Sequence, residues 1–543
     1  MKKLILLTLM LVMYSLTFAQ FKQVAEGPKF EEPEEGFAKI LQLKNGNTFY
    51  IHVTLKDGIN VRIYDANHIE KVVSTFSPAY VELEKSDDVE GVLEINNDVI
   101  VFVNKAEDHL LTLHRLIIDG STGKLKKQKI IAVSKNVWKE SAFINTRQLD
   151  FFNVRKDQYS DNYAIAIYDA SEKDKTKRVE IIHFGSDNNE IIRKFCFLPS
   201  DTRCNFIDMV VINTEKVCAF LEFKWKDEIK NNVMAVIEKG KPEIDYTELN
   251  IPLELHIPFG ISKYNPVTKK ILLLVAGISN PNKFVVGMRS KSKNEEYTVL
   301  LNMIDPATKE IKPVPEFGPT EKLNAGYNEI LDQKKGFKGM PQNIIINNDG
   351  SFTVLYEEIM FLGNGDSEGT NLGSLVVSTF DLTGKFVSEY LVVKDHLNFK
   401  HQLFPFYLSK RELSAQLLFK GNQYKSFSFI DGTKNKYILF NDTEKNNDIT
   451  NTKLVLKSGT LSRSKLIRVS GITGDCDAFK YTLTGIDILP KRDYLFGERD
   501  KGHFLAAVTI SSYNKTNNIY ATLMLDKINT RNKMVSVVWQ EPQ

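Results

Sequence analysis

The chain has 543 residues, of which 42% are apolar and 26% charged, a globular composition that excludes a disordered or fibrous chain. Lys and Arg number 71 against 68 Asp and Glu, a formal charge of +3, too balanced for the basic footprint of a nucleic-acid binder. Four cysteines in so long a chain are no disulfide scaffold, and none stand at a Cys-x-x-Cys metal spacing.

The first element is a processing signal. Lys2 and Lys3 precede the apolar run LILLTLMLVMYSLTF, and Thr17-Phe18-Ala19 offers a small-residue cleavage site before Gln20. The run is too short and wrongly flanked for a membrane span, no Cys beside the cut offers a lipid site, and no second stretch reaches spanning length. The expectation is a signal peptide over 1–19, a linker over 20–36 and one domain over 37–543. The protein is then secreted or periplasmic, with no membrane insertion after cleavage and with 69 basic against 68 acidic side chains.

From residue 37 two kinds of hairpin alternate. The first reads β-prone run, polar turn, strongly apolar run: LQLKNGNTFYIHV (41–53), LEINNDVIVFV (93–103), FNVRKDQYSDNYAIAIY (152–168), VVINTEKVCAFLEF (210–223), SKYNPVTKKILLLVAG (262–277) and IIINNDGSFTVLYEE (344–358). FYLSKRELSAQLLF (406–419) and YLFGERDKGHFLAAVTI (494–510) complete the set. Asn-Gly, Asn-Asp and Asp-Gly are hairpin punctuation. The second kind carries an acid in a turn rich in Thr, Gly and Lys, as in LIIDGSTGKL (116–125) and STFDLTGKFV (378–387). Its turn acids are Asp65, Asp119, Asp187, Glu238, Asp305, Asp381, Asp431 and Asp526. The acid bonds to the turn backbone and Gly supplies a positive φ.

Two hairpins make a four-stranded unit, and eight such units repeated radially make an all-β propeller. Seven blades are the next count, because 441–480 is the least regular stretch; stacked sandwiches or two β domains are the other architectures. Cys196 and Cys204 flank the loop of CFLPSDTRC and are placed to close a small disulfide, whereas Cys218 in VCAFLEF reads as a buried apolar residue.

The Asp-x-x-Thr-Gly-Lys turn resembles the repeat turn of quinone-cofactor propellers. That family sets a Trp soon after the turn, where Leu125, Phe386 and Tyr437 stand here, so its cofactor does not carry over. The segments LFNDTEKN (439–446) and ILPKRDYLFG (488–497) resemble the tail of exported bacterial propeller-like proteins of unassigned activity. That resemblance implies the fold and no mechanism.

In a propeller the turns between first and second strands and between third and fourth strands share one face. The other connections share the opposite face. The long connections 279–296, 313–342, 361–373, 394–405 and 441–478 all fall on the second face. They come from units five to eight and are the expected carriers of function.

TEKLNAGYNEILDQKKG (320–336) sets Leu323, Tyr327, Ile330 and Leu331 on one helical stripe with Thr320 as N-cap, which predicts a helix over the blade edges or a docking helix bearing Tyr327. Asn364, Asp366 and Glu368 alternate before Gly369 like the start of a calcium loop, but Leu375 stands where such a loop needs Glu. Calcium is therefore the one candidate ion, set against a solvated loop. His396 and His401, beside Asp395, are ligand-face candidates without a recognised metal spacing.

The chain has no His-Glu-x-x-His, Gly-x-Ser-x-Gly or P-loop motif, and no Gly-x-Gly-x-x-Gly in a βαβ setting. The expectation is a binding or scaffold protein recognising a peptide, a glycan or an envelope protein through its long-loop face. A secreted hydrolase or lyase assisted by calcium is the alternative, and a purely structural envelope role a third.

Overall fold

The computed structural model describes residues 21–543 except 55–57, 79–87, 108–109, 135–151, 170–171, 198–201, 226–227, 280–296, 316, 332–333, 363–368, 400–402, 447–466, 470–475, 485–488, 497–503 and 527–532. Its strands form eight antiparallel sheets built on four strands each, and the sheets are the blades of a propeller. Blade 1 runs Phe37–Gln42, Thr48–Thr54, Gly58–Tyr64 and Glu70–Phe76. Blades 2 to 6 repeat this meander, with first strands Asp88–Ile95, Phe152–Lys156, Thr202–Ile212, His256–Asn265 and Met340–Ile346. Successive first strands touch one another and line the central channel.

The second strands are the most apolar because neighbouring blades cover both their faces: Ile271–Ile278 is buried at every residue. The short turns follow local rules. Asn96 and Asn97 both take positive φ, 50° and 66°, as a two-residue hairpin turn requires. Asp119 accepts the backbone N–H groups of Ser121 at 3.0 Å and Thr122 at 2.7 Å, and Gly123 follows at φ 67°.

The last two blades are drawn from other residues than the sequence pattern implies. Blade 7 begins at Ser428–Asp431 and continues through Lys436–Thr443, Cys476–Leu483 and Lys491–Tyr494, so Asp431 lies on a first turn. Blade 8 comprises Phe504–Ala506 with Ser512–Asn514, then Ile519–Asp526 and Met534–Glu541, and its fourth strand is Lys22–Glu26. The segment read as a linker therefore closes the ring, pairing Lys22 with Glu541 and Glu26 with Val538, and Phe30–Glu31 pairs the same strand. Trp539 locks blade 8 to blade 1: it is fully buried, donates from Nε1 to Thr48 Oγ1 at 2.9 Å and meets Tyr64 edge-on at 5.0 Å.

The predicted helix is present as α1, Glu321–Leu331, with Thr320 Oγ1 accepting the Leu323 N–H at 3.2 Å. FYLSKRELSAQLLF is not a hairpin. It forms α2, Tyr407–Leu413, and a two-residue strand, Gln416–Leu417, that pairs with Ala38 and Phe37 of blade 1. The stretch contains no Val, Ile or Thr, whereas Leu, Lys, Arg and Glu are good helix formers. Phe406, at φ 67°, turns the chain into α2, which crosses the channel. Leu408 packs between blades 6 and 7, Leu413 against blades 2 and 3, and Ala415 against blades 1 and 2.

Candidate functional site

The first strands of blades 1 to 5 begin on the long-connection face. There, with residues 403–417, they enclose a cavity of about 460 Å³ at the channel mouth. A second space of about 50 Å³, also touched by Ser409, lies further down the channel, so α2 stands between the two. The connection that supplies 403–417 leaves blade 6 and enters blade 7, within the half expected to carry function, but it reaches across the axis to face blades 1 to 5.

Local irregularity shapes the wall. Pairing of the first strand shifts between Phe206 and Asp208 in blade 4, and between His256 and Phe259 in blade 5. Pro258 cannot donate to the ladder, which places the second bulge, and bulges of this kind re-aim side chains next to sites. Phe259 stacks on Phe404 with ring centres 5.4 Å apart, and Phe361 backs Phe404 at 5.4 Å. Phe206 and Phe406 extend the aromatic lining.

Polar groups sit among these rings on prepared supports. His256 Nδ1 lies 2.8 Å from Oε2 of Glu222, a fully buried carboxylate that also accepts the Ile257 N–H at 2.8 Å. Arg155 donates from Nε to Asp208 Oδ1 at 2.6 Å, and Asp208 Oδ2 accepts the Ser262 backbone N–H at 2.5 Å and its hydroxyl at 2.9 Å. Asn205 Nδ2 donates to the Ile257 carbonyl at 2.6 Å. Arg411, on α2, lines the cavity and donates from Nη2 to the Phe427 carbonyl at 2.7 Å.

Further bonds fix α2. Lys39 Nζ donates to the carbonyls of Val92 at 3.1 Å and Glu412 at 2.7 Å, and burial draws its pKa down to about 7. The Tyr407 hydroxyl donates to Glu357, whose other oxygen pairs with Lys394 at 2.5 Å in a fully buried ion pair. Burial draws the Lys394 pKa down, against the pull of Glu357.

The residues singled out in the sequence lie elsewhere. Tyr327 is no ligand-face residue: it is buried, donates its hydroxyl to Glu358 at 2.5 Å and packs edge-on against Phe337. Its helix covers the edges of blades 5 and 6. His396 is fully buried against Phe440 in a strand beside Gly369–Leu372, and burial, then Lys394 and Lys425, hold its pKa well down. A desolvated imidazole among cations stays neutral, so it serves packing rather than a ligand face. His401 and the calcium candidates Asn364, Asp366 and Glu368 lie outside the described residues. Among the described residues, no three of His, Cys, Asp and Glu gather to hold a metal.

The bridge expected between Cys196 and Cys204 is not formed. Both are free thiols buried in one apolar cluster between blades 3 and 4, where they pack as small apolar groups, and Cys204 also touches the cavity. Burial pushes the Cys196 thiol up to about 12, and burial with the neighbouring Cys196 pushes Cys204 well above its ordinary value.

No protein-family model matches the sequence, and no curated protein matches it either. Among solved structures the chain is similar to the polysaccharide lyase Uly1 at 10% identity, covering 86% of this chain and 92% of that one with a TM-score of 0.36. It is similar to the WD40 domain of SCAP from fission yeast at 11% identity, covering 94% of each chain with a TM-score of 0.33. A PL25 ulvan lyase bound to -[GlcA(1-4)Rha3S]- is 8% identical, with 68% of this chain and 88% of that one covered and a TM-score of 0.36. These likenesses concern the fold and say nothing of activity.

Proposed function

We propose that this propeller is an exported binding protein that holds a glycan in the channel-mouth cavity. The aromatic wall of Phe259, Phe404 and Phe206 carries the reading. Sugar rings present apolar C–H faces that lie against aromatic rings, while their hydroxyls need a few well-held polar partners. Asn205, His256 and Arg155 are such partners, each bonded to a carbonyl or carboxylate behind it. Because α2 lies across the channel below the cavity, an occupant enters from the long-connection face.

A glycan array probed with the purified protein tests this reading. The expected result is binding to a subset of oligosaccharides that Phe404→Ala weakens at unchanged melting temperature. Absence of any bound glycan, or binding untouched by Phe404→Ala, contradicts it. Export belongs to the same proposal, supported by the Lys-led apolar start and Ala19. The intact mass of the exported form should match a chain beginning at Gln20.

One observation favours a second reading, a hydrolase or lyase. A buried carboxylate that fixes Nδ1 of a cavity histidine is the arrangement by which an imidazole is oriented for acid–base work through Nε2. Under that reading, prolonged incubation shortens the bound oligosaccharide, and His256→Ala stops the shortening even at oligosaccharide concentrations that saturate the variant.

A further inference from the structure

The charges around the cavity are unevenly matched. Asp208 is taken by Arg155 and Ser262, and Glu222 by His256 and the Ile257 N–H. On the α2 side, Glu357 is taken by Lys394 and Tyr407, and Glu412 by Asn343 at 2.5 Å with Lys263 at 3.7 Å. Arg411 is different. Its bonds go to neutral oxygens, the Phe427 carbonyl at 2.7 Å and, at 3.5 Å, the Ser426 hydroxyl. Among the described residues no carboxylate stands within ion-pair distance of its guanidinium. Arg155 and Lys410 are the other Lys and Arg side chains of the lining, and Asp88, across the cavity in blade 2, is the one acid among the described lining residues. Burial draws the Arg411 pKa down from its ordinary value, outweighing the opposing pull of Tyr407, Glu412 and Glu357, none of which its guanidinium meets in a direct bond.

A guanidinium withdrawn from water regains most when a planar or tetrahedral oxyanion meets its fork of donors. We infer that the cavity selects glycans bearing an anionic group, a carboxylate or a sulfate, and that Arg411 receives that group while the sugar ring lies against Phe259 and Phe404. The inference rests on the glycan reading and names its substrate class.

The test titrates the protein with galacturonate oligomers, their methyl esters, sulfated galactose oligomers and neutral galactose oligomers of equal length. At least one anionic series should bind at least about tenfold more tightly than the neutral one, the value of one charge-assisted bond. Comparison of the two anionic series tells carboxylate from sulfate, and if the carboxylate series is the one bound, its methyl esters lose the advantage. Arg411→Met should remove the preference, read as the ratio of anionic to neutral affinity within the same variant, while Arg411→Lys restores part of it. The methyl-ester comparison uses the wild-type chain, so it holds even where Arg411→Met does not fold. Equal binding of charged and neutral oligomers overturns the inference, as does a preference that survives in folded Arg411→Met. If no saccharide of any kind binds, it is the glycan reading that falls.

Discussion

Asp119 shows how a single turn side chain serves the fold. Burial alone would push its carboxyl up, but Lys126 and the N–H groups of Thr122 and Ser121 outweigh that and hold it at about 2. A carboxyl depressed in the folded state adds stability above its unfolded value and loses it as pH falls through the folded value. Asp119→Ala should therefore cost about 0.5–2 kcal/mol at neutral pH, as lost capping groups do. The difference from wild type should shrink as pH falls from the ordinary carboxylate value of 3.8 to about 2, in paired denaturant titrations. Ligand binding should be unaffected, because the turn lies on the face opposite the cavity. Such residues were legible in the sequence because their partners are two or three positions away. His256, Glu222 and Arg411 were not: Glu222 and His256 come from neighbouring blades, and Arg411 reaches the site through a chain crossing the axis. No spacing announces such meetings. His396 misled for the complementary reason, since its place beside a long loop said nothing of the strand that buries it.

At the scale of elements, the helix stripe of α1 was readable because Leu323, Tyr327 and Ile330 follow the 3.6-residue period over two turns. The seven-residue α2 is too short for that signal, and the alternation of Leu413, Ala415 and Leu417 mimics a strand. Only its lack of β-branched residues pointed the other way. Lys39 ties this element to blades 1 and 2, and its pKa of about 7 lies below the ordinary 10.5. Between those values the unfolded chain holds the proton that the folded one has released, so stability rises with pH across the window. Melting curves from pH 7 to 10 should show the wild type gaining on Lys39→Met, which lacks the group. A constant difference would mean that Lys39 is charged throughout.

The whole molecule is a ring, and a ring depends on its closure. Six of the eight apolar second strands stand where the sequence pattern puts them, whereas those of blades 7 and 8, Lys436–Thr443 and Ile519–Asp526, do not. Nor does the closing strand, since Lys22–Glu26 is a short polar segment that acquires its register only against Met534–Glu541. Trp539 holds that junction, and Trp539→Ala should cost about 3–5 kcal/mol, as other large buried aromatics do. Loss on that scale in chemical denaturation, with the cavity still able to bind at low temperature, would separate closure from recognition. Closure sets the eight first strands around one axis, and with α2 across that axis the channel mouth becomes the place to hold a ligand. Hydrogen exchange with and without a bound oligosaccharide tests this most directly. Slowed exchange is expected at 204–207, 256–261 and 403–417. Protection confined to the short turns around Asp119, Asp305 and Asp381 would place recognition on the opposite face and contradict it.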